Sequence, residues 1–530
     1  MNSHAEILAQ HNALTKVMNK YCLANPHLPP PSVAAGYILD SSERTRSLWH
    51  LTRREGADLF DAACEKRVVP SSASTVIIGA GIAGTSTAWW LCEMGVPARD
   101  ICVLEAGAGA GIGASGRNGG HCWCSPRMDD DGDVSRLKCK TRDGVEAMLH
   151  HLDDRCEFKA RGGATVLDGG DPLEEKLKDE SEWVSFCNQH IPEARGVELF
   201  GEEECAARLI PCTAATLEPL AASLHPQRLL DAMWRSLSAK GVDLCSNARV
   251  VEVSCLDKDD DNDITDQGEA MFEVRTTRGT VKARRVVYAI NAYMATLLPE
   301  LAPHFEPFRG QVSAFPSPSS HPVCQHSLTS SSGFLYSIIR DVGEGSSKVY
   351  SDATIVLGGG RFASTAKEMY ERGTWDDTRT HPGISLALKQ AMQTWYNVDA
   401  SPSPLVEWSG IMAATSDERA VAGELPPRPR SALPPSNPSS SAASSASASA
   451  SATPSSSSSS SAHSSEFVIG GFNGNGMAIA FELARRLAVE MQASLTKDIE
   501  DKSSSSTGDL ANEHYIPLQL HVSRFFEKRD

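Results

Sequence analysis

An α/β fold is predicted by three stretches of this 530-residue chain. The first, Thr75-Val-Ile-Ile-Gly79-Ala-Gly81-Ile-Ala-Gly84, is a short apolar and β-branched run followed by glycines spaced G-x-G-x-x-G. The second, Ile101-Cys-Val-Leu-Glu105, is another apolar strand, ending in an acid about twenty residues past the last glycine. The third runs from Glu466-Phe-Val-Ile-Gly470 through Gly471-Phe472-Asn473-Gly474-Asn475-Gly476-Met477. It repeats strand, glycine turn and helix start far along the chain.

Each glycine of the first stretch has its own task. Gly79 makes the tight turn out of the strand, and Gly81 lets backbone approach a pyrophosphate with no Cβ in the way. Gly84 lets the next helix, from about Ile82 to Met94, pack close to the sheet, and Gly95 stops it. That helix aims its first N–H groups, including those of Ile82 and Ala83, and its positive dipole end at the phosphates. Glu105, followed by Ala106, stands where an acid bonds a ribose hydroxyl. Together these parts predict a Rossmann-like domain that binds a dinucleotide. A glycine-rich turn without a ligand is the bland alternative.

A chain of this length exceeds one compact core, so two domains are expected. Its 41% hydrophobic content is ordinary for a globular protein, and its formal charge of −17 argues against nucleic acid or an anionic membrane as partner. Two acidic clusters, Asp129 to Asp133 and Asp257 to Glu269, lack the glycine and closing glutamate of a calcium loop and read as solvated loops. The fourteen cysteines form no disulfide framework, and Cys122-Trp-Cys124 lacks the second pair of a zinc site, so no metal is expected. No secretory signal pattern, membrane-spanning apolar run or peroxisomal ending is visible, and the cytoplasm is the expected location.

Residues 1–72 read as a lead-in, broken by Leu28-Pro-Pro-Pro31. Within it Ser47-Leu-Trp-His-Leu51 has the look of a packing segment with no chemistry. After Glu105 the chain becomes glycine-dense and includes Ser115-Gly-Arg117-Asn118-Gly119-Gly120-His121. Such composition disfavours helix and strand and lets backbone lie against a flat or charged ligand; a linker is the alternative.

G-A-G-I-A-G, V-L-E and G-A-S-G-R-N-G-G together resemble the FAD-dependent oxidoreductases of the D-amino-acid-oxidase/glycine-oxidase superfamily. The branch most resembled is the γ-glutamylputrescine-oxidoreductase-like amine oxidases. The resemblance puts Ser115, Arg117, Asn118, Gly119 and Gly120 beside the pyrophosphate and flavin. It makes His121 a candidate for a covalent bond to FAD, against an ordinary loop histidine; non-covalent FAD is the expectation.

Further on, Leu224-His-Pro leads into an amphipathic helix, about Gln227 to Lys240, ended by Gly241. His225, before proline at a helix start, reads as structural. The family passage matched here puts the backbone of Val250 or Val251 beside the adenine. A hairpin is expected around Arg278-Gly279. The strand Arg285-Val-Val-Tyr-Ala-Ile-Asn291 resembles the family's "VVxATNA" segment, which places Ala289 and Asn291 over the pyrophosphate, with Ile290 where threonine is usual. Residues 308–362 are strand-rich, and the family builds its antiparallel substrate sheet there. Gly383 to Tyr396 reads as a helix. Val406-Glu-Trp408-Ser-Gly410-Ile-Met412 resembles the family's "W-x-G-I-M" strand. Residues 426–465 are Pro-rich and then nearly pure Ser and Ala, too poor in apolar surface to order, and read as a disordered insertion. Gly471, Asn473, Gly474, Gly476 and Met477 match the family's C-terminal "GGFxGxGM" flavin motif, whose donors suit the electron-rich edge of a flavin.

The expected layout is a discontinuous FAD domain in segments 73–135, 240–300, 405–425 and 466–495. A mixed or antiparallel substrate domain occupies 136–239 and 301–404, and 496–530 is a tail. A nicotinamide enzyme would need only the first segment, so the third favours FAD. The implied reaction is oxidation of a C–N bond in a small amine or amino acid. Hydride passes to flavin N5, the imine hydrolyses, and dioxygen takes the electrons as peroxide. Tyr336, Trp408 and Arg309 are the substrate-site candidates; core packing and a surface charge are their alternatives. Two other readings stay open: a dehydrogenase with another acceptor, separated by peroxide release, and an inert FAD fold, whose flavin no amine would bleach. Sequence leaves the oligomeric state undetermined.

Overall fold

The computed structural model describes residues 44–124, 132–152, 155–167, 173–194, 196–256, 264–265, 268–269, 272–331, 335–340, 353–364, 371–398, 403–427, 466–500, 516 and 520–526. The Ser/Ala-rich stretch expected to be a disordered insertion, the acidic run 129–131 and most of the acidic loop from Asp257 lie outside these residues, as do residues 1–43 and most of the tail.

The glycine turns sit on one eight-stranded sheet. Its central order is Val421–Glu424, Glu466–Gly470, Gly279–Tyr288, Ser72–Ile78, Ile101–Leu104, Asp243–Cys245. All neighbours in that order pair in parallel except the edge strand Val421–Glu424. Parallel strands carry helices on their faces and are apolar throughout, as Val76, Ile77 and Val287 are, each fully buried. The helices Ile82–Glu93 and Gly476–Glu500 pack together on one face, joining Ile77, Leu91, Phe481 and Leu483 in one core. The hairpin and the "VVxATNA" strand are one element. Gly279–Tyr288 pairs with Phe272–Thr276 through its first half and with Ser72–Ile78 along most of its length.

A second eight-stranded sheet runs Val406–Thr415, Phe305–Pro316, Thr354–Gly359, Leu335–Arg340, Ser327–Ser330, Gly163–Val166, Ala215–Glu218, Glu198–Phe200. Only the Ser327–Ser330 pairing with Gly163–Val166 is parallel. The helix Pro382–Tyr396 covers this sheet, burying Ile384, Leu388 and Trp395 against Phe315 and Leu357.

Two boundaries differ from the sequence reading. The strand Val406–Thr415, expected in the FAD domain, pairs with Phe305–Pro316 over ten residues and belongs to the second sheet. The crossing between layers therefore falls between Thr415 and Val421. The helix Pro226–Lys240, assigned to the substrate domain, buries Leu229, Trp234 and Leu237 in the first sheet's core. Its apolar stripe shows amphipathicity but not which sheet it faces. The packing expected of Ser47–Leu51 is present: Leu48 and Trp49, in the short helix Leu48–Leu51, are buried.

Candidate cofactor and substrate site

The first turn is shaped by main chain. Gly79 has φ +103° and donates its N–H to Leu104 O at 2.8 Å, and a Cβ there would stand 2.7 Å from Ala289 O. At Gly84 a Cβ would lie 2.0 Å from Gly79 O, so only glycine lets the helix come this close. Gly81 caps the helix with no side chain to offer its first N–H groups. Ile82 N–H donates to Ser115 Oγ at 2.9 Å, and Ala83 follows in the first turn. The Glu105 carboxylate accepts from Ala80 N–H at 2.8 Å and Gly107 N–H at 2.7 Å, drawing Ala106 tight against the turn.

The loop Ser115–His121 runs from that helix to the second sheet. Asn118 stiffens it, donating to Ser115 O at 2.7 Å and accepting from Gly120 N–H at 2.8 Å. Arg117 is buried and donates to Ile112 O, Ser409 O and Thr45 Oγ1 at 2.8–3.0 Å, and burial lowers its guanidinium to about 10. Those bonds tie it to protein groups on both sides of the loop. At Gly119 a Cβ would lie 2.2 Å from the Tyr336 ring, and Gly120 is similarly confined by Ile338, Leu224 and Trp49. His121 donates from Nε2 to Ser337 O at 2.9 Å, with its ring centroid 5.1 Å from that of Tyr336. Burial lowers its imidazole to about 4, so it is neutral at ordinary pH.

The other turns meet the first. Ala289 N–H donates to Ile78 O at 2.9 Å, and Asn291 Oδ1 accepts from Gly471 N–H at 2.9 Å. Gly471 has φ +63°, where a Cβ would meet the Thr415 methyl at 2.4 Å. Asn473 accepts from Thr415 N–H at 2.8 Å and donates to Gly471 O at 2.7 Å. Gly474 faces open space, Gly476 opens the last helix, and Met477 O lies 3.6 Å from Cys122 Sγ. Val250 is buried and Val251 is 39% exposed, on the strand that follows Ala248, whose N–H donates to Glu105 O at 2.8 Å.

The three substrate-site candidates part company. Tyr336 stands against the loop, wedged between Gly119 and Gly358, and burial pushes its hydroxyl upward. Trp408 is fully buried, donating to Arg117 O at 2.7 Å beside Trp49, as its core-packing alternative had it. Arg309 is not a surface charge. It is buried, ion-paired with Glu371, and donates to Asp376 O at 2.9 Å. His225 caps the helix Pro226–Lys240, accepting from Arg228 N–H at 3.2 Å.

The bonds that residues 45–49 make to the loop were not anticipated. Trp49 donates to Asn118 O at 2.6 Å and Ser47 to Gly116 O at 2.7 Å, so the lead-in braces the loop. Their sequence signals packing and nothing more, because a hydrogen bond to a distant carbonyl leaves no local pattern. Among the described residues there is no group of three or more His, Cys, Asp or Glu suited to a metal, and no helix long and apolar enough to cross a membrane.

The family profile described as "FAD dependent oxidoreductase" matches residues 74–489. The chain belongs to that FAD-dependent oxidoreductase family. The residues present fit the cofactor: a helix start at Gly81 with no N-cap side chain, an acid at Glu105, and a second glycine turn open at Gly474. Among family relatives, the γ-glutamylputrescine oxidoreductase of Escherichia coli is 28% identical over 248 residues, 44% of this chain and 53% of that protein. A probable oxidoreductase, OrdL, of Rhizobium meliloti is 22% identical over 52% of this chain and 63% of its own length. The matches thus span about half to under two thirds of those relatives. The fold is shared with glycine oxidase from Geobacillus kaustophilus, at TM-score 0.57 and 18% identity, covering 83% of this chain and 98% of that one. It is shared too with iminodiacetate oxidase from Chelativorans, at TM-score 0.55 and 17% identity, covering 79% and 95%.

Proposed function

We propose that the chain is an enzyme that uses non-covalent FAD to oxidise a C–N bond of a small amine or amino acid, with dioxygen as acceptor. The observation that carries this reading is the course of the loop Ser115–His121. One end meets the helix start at Ile82, and the other packs under Tyr336 and Ser337 of the second sheet. A cofactor with its diphosphate on a helix start and its redox ring below a substrate sheet needs such a loop. Bound there, FAD supplies a hydride acceptor whose electrons can pass to oxygen.

The side chains supply the rest. In this reading the turn at Gly79–Gly84 and Ser115 would hold the diphosphate end, Glu105 the ribose, and the backbone of Val250 or Val251 the adenine side. Asn291 and Asn473 hold the second turn in shape, and the turn would hold the flavin end of the cofactor. His121 and Tyr336 are both neutral, and a neutral wall favours the uncharged amine over its ammonium form, which would lose hydration without a counter-charge. The imine product then hydrolyses in water. The names of the relatives, an acylated-amine oxidoreductase and oxidases of small amino acids, agree with this substrate class. The test is oxygen uptake by the FAD-loaded chain with polyamines, acylated amines, N-methyl amino acids and D-amino acids. One peroxide per oxygen consumed is expected with at least one of them, and all yellow colour should leave acid-denatured protein. No uptake with any amine contradicts the reading.

A further inference from the structure

Beside the first turn, three buried ions stand together with their bonds incomplete. Arg44 comes from the lead-in, Arg117 from the loop Ser115–His121, and Asp377 from the segment ahead of the helix Pro382–Tyr396. Their side chains are 7%, 3% and 2% exposed. Buried ions are normally closed up by short hydrogen bonds, which offset the hydration they lose. Here the carboxylate stands off. Arg44 Nε lies 3.6 Å from Asp377 Oδ1, and Arg117 Nε lies 3.9 Å from Asp377 Oδ2. Arg44 Nε and Asp377 Oδ1 are both buried with no hydrogen-bond partner among the described residues. Arg117 is otherwise satisfied by Ile112 O, Ser409 O and Thr45 Oγ1, whereas Arg44 keeps a single long bond of 3.5 Å to Ile112 O. The neighbouring Asp376 is taken up by Arg379 at 2.9 Å and by the Thr378 hydroxyl. Arg44 is the cation left under-used.

Its position ties it to the cofactor turn. Both guanidinium groups reach Ile112 O, which sits between two anchors of the glycine-dense loop. On one side Gly111 N–H bonds Ala80 O at 3.2 Å, and on the other Ser115 Oγ accepts the Ile82 N–H at the helix start. From the first sheet comes Tyr293, in the short turn Asn291–Tyr293 that follows Ala289, whose carbonyl lies against Gly79. Burial pushes the Tyr293 hydroxyl up to about 12, and the charges that act on it next are those of Arg44, Asp377, Arg117 and Glu105. That hydroxyl makes no hydrogen bond among the described residues.

We propose that Arg44 and Tyr293 complete the diphosphate site of FAD, the arginine as its counter-charge and the phenol as a further donor. This rests on the reading that the diphosphate lies at the Gly79–Gly84 turn. A helix start offers N–H groups and a partial charge of roughly half a unit, while a diphosphate carries full charges. Arg44 supplies the full positive charge that the turn lacks. Asp377 is its positioning residue, near enough to hold the guanidinium and too far to occupy its donors.

Fluorescence titration of the flavin-free full chain with FAD, with ADP as competitor, tests this. Arg44→Gln should weaken both ligands about tenfold, the value of one charge-assisted hydrogen bond, and make FAD binding less sensitive to salt. Arg44→Lys, which keeps the charge and loses the fork, should recover part of the affinity, and Tyr293→Phe should cost about threefold. The unfolding midpoint of the flavin-free chain should stay where it is in Arg44→Gln, since the ion pair it breaks is already loose. A parent that binds FAD no better than Arg44→Gln overturns the proposal alone. So does a loss of affinity that Arg44→Lys leaves unrepaired while the flavin-free midpoint falls, because that is a purely structural role. A parent that binds no FAD overturns the cofactor reading and the proposal with it.

Discussion

At Gly79 the turn is made by main chain: its N–H bonds Leu104 O, and the helix it launches passes so close that a Gly84 Cβ would strike Gly79 O. At Gly471 a similar strand–turn–helix is made by side chains from elsewhere. Asn291 bonds the Gly471 N–H, and Asn473 reaches Thr415 at the end of a second-sheet strand. The first turn is therefore built within one sheet, complete once its strand, its helix and the neighbouring strand Ile101–Leu104 form. The second exists only when both sheets are in place, and it ties the first sheet to the second.

Breaking the first turn should cost most. In Gly84→Val the obstacle is backbone that cannot move aside, and we expect a loss of about 3 kcal/mol in denaturant unfolding together with loss of bound FAD. Gly471→Ala meets a methyl group and a left-handed φ, and should cost about 2 kcal/mol. Because that obstacle is the Thr415 Cγ2, adding Thr415→Ser should return part of the stability and the flavin. No second-site change of this kind should rescue Gly84→Val. If Thr415→Ser restores nothing, the second turn is not held as described.

A smaller effect comes from His121, whose imidazole is lowered from 6.5 to about 4 by burial. The unfolded chain takes up a proton below about 6.5 while the native state stays neutral, so stability falls as pH drops from about 6.5 toward 4 and is flat above. His50 and His225 are depressed as well, so the informative quantity is the difference between parent and His121→Asn. That difference should grow across this window and vanish as a slope above it. The smallest change in stability is expected for Tyr336→Phe, within about 0.5 kcal/mol, since its hydroxyl has no hydrogen bond among the described residues. Its KM for the amine should still move, because the ring lies against Gly119.

The same contrast decides what could be read in advance. The Gly79 turn, its helix and Glu105 were legible because their causes are local: strand periodicity, glycine spacing, a terminal acid. The strand order was not, since nothing in Val406–Thr415 itself says which sheet it joins, and its partner lies about ninety residues away at Phe305–Pro316. The bonds of Trp49 and Thr415 were not legible for a related reason, as each joins a residue distant in sequence. Tyr336 was named as a candidate and stands at the loop, whereas Arg309, named with it, is held in a buried ion pair.

The most direct test of C–N oxidation at this site is an anaerobic titration of the FAD-loaded chain with amines from the same panel. Loss of the yellow colour with one of them, restored on admitting air, is the expected result. A chain that binds FAD yet keeps its colour with every amine and amino acid would contradict it.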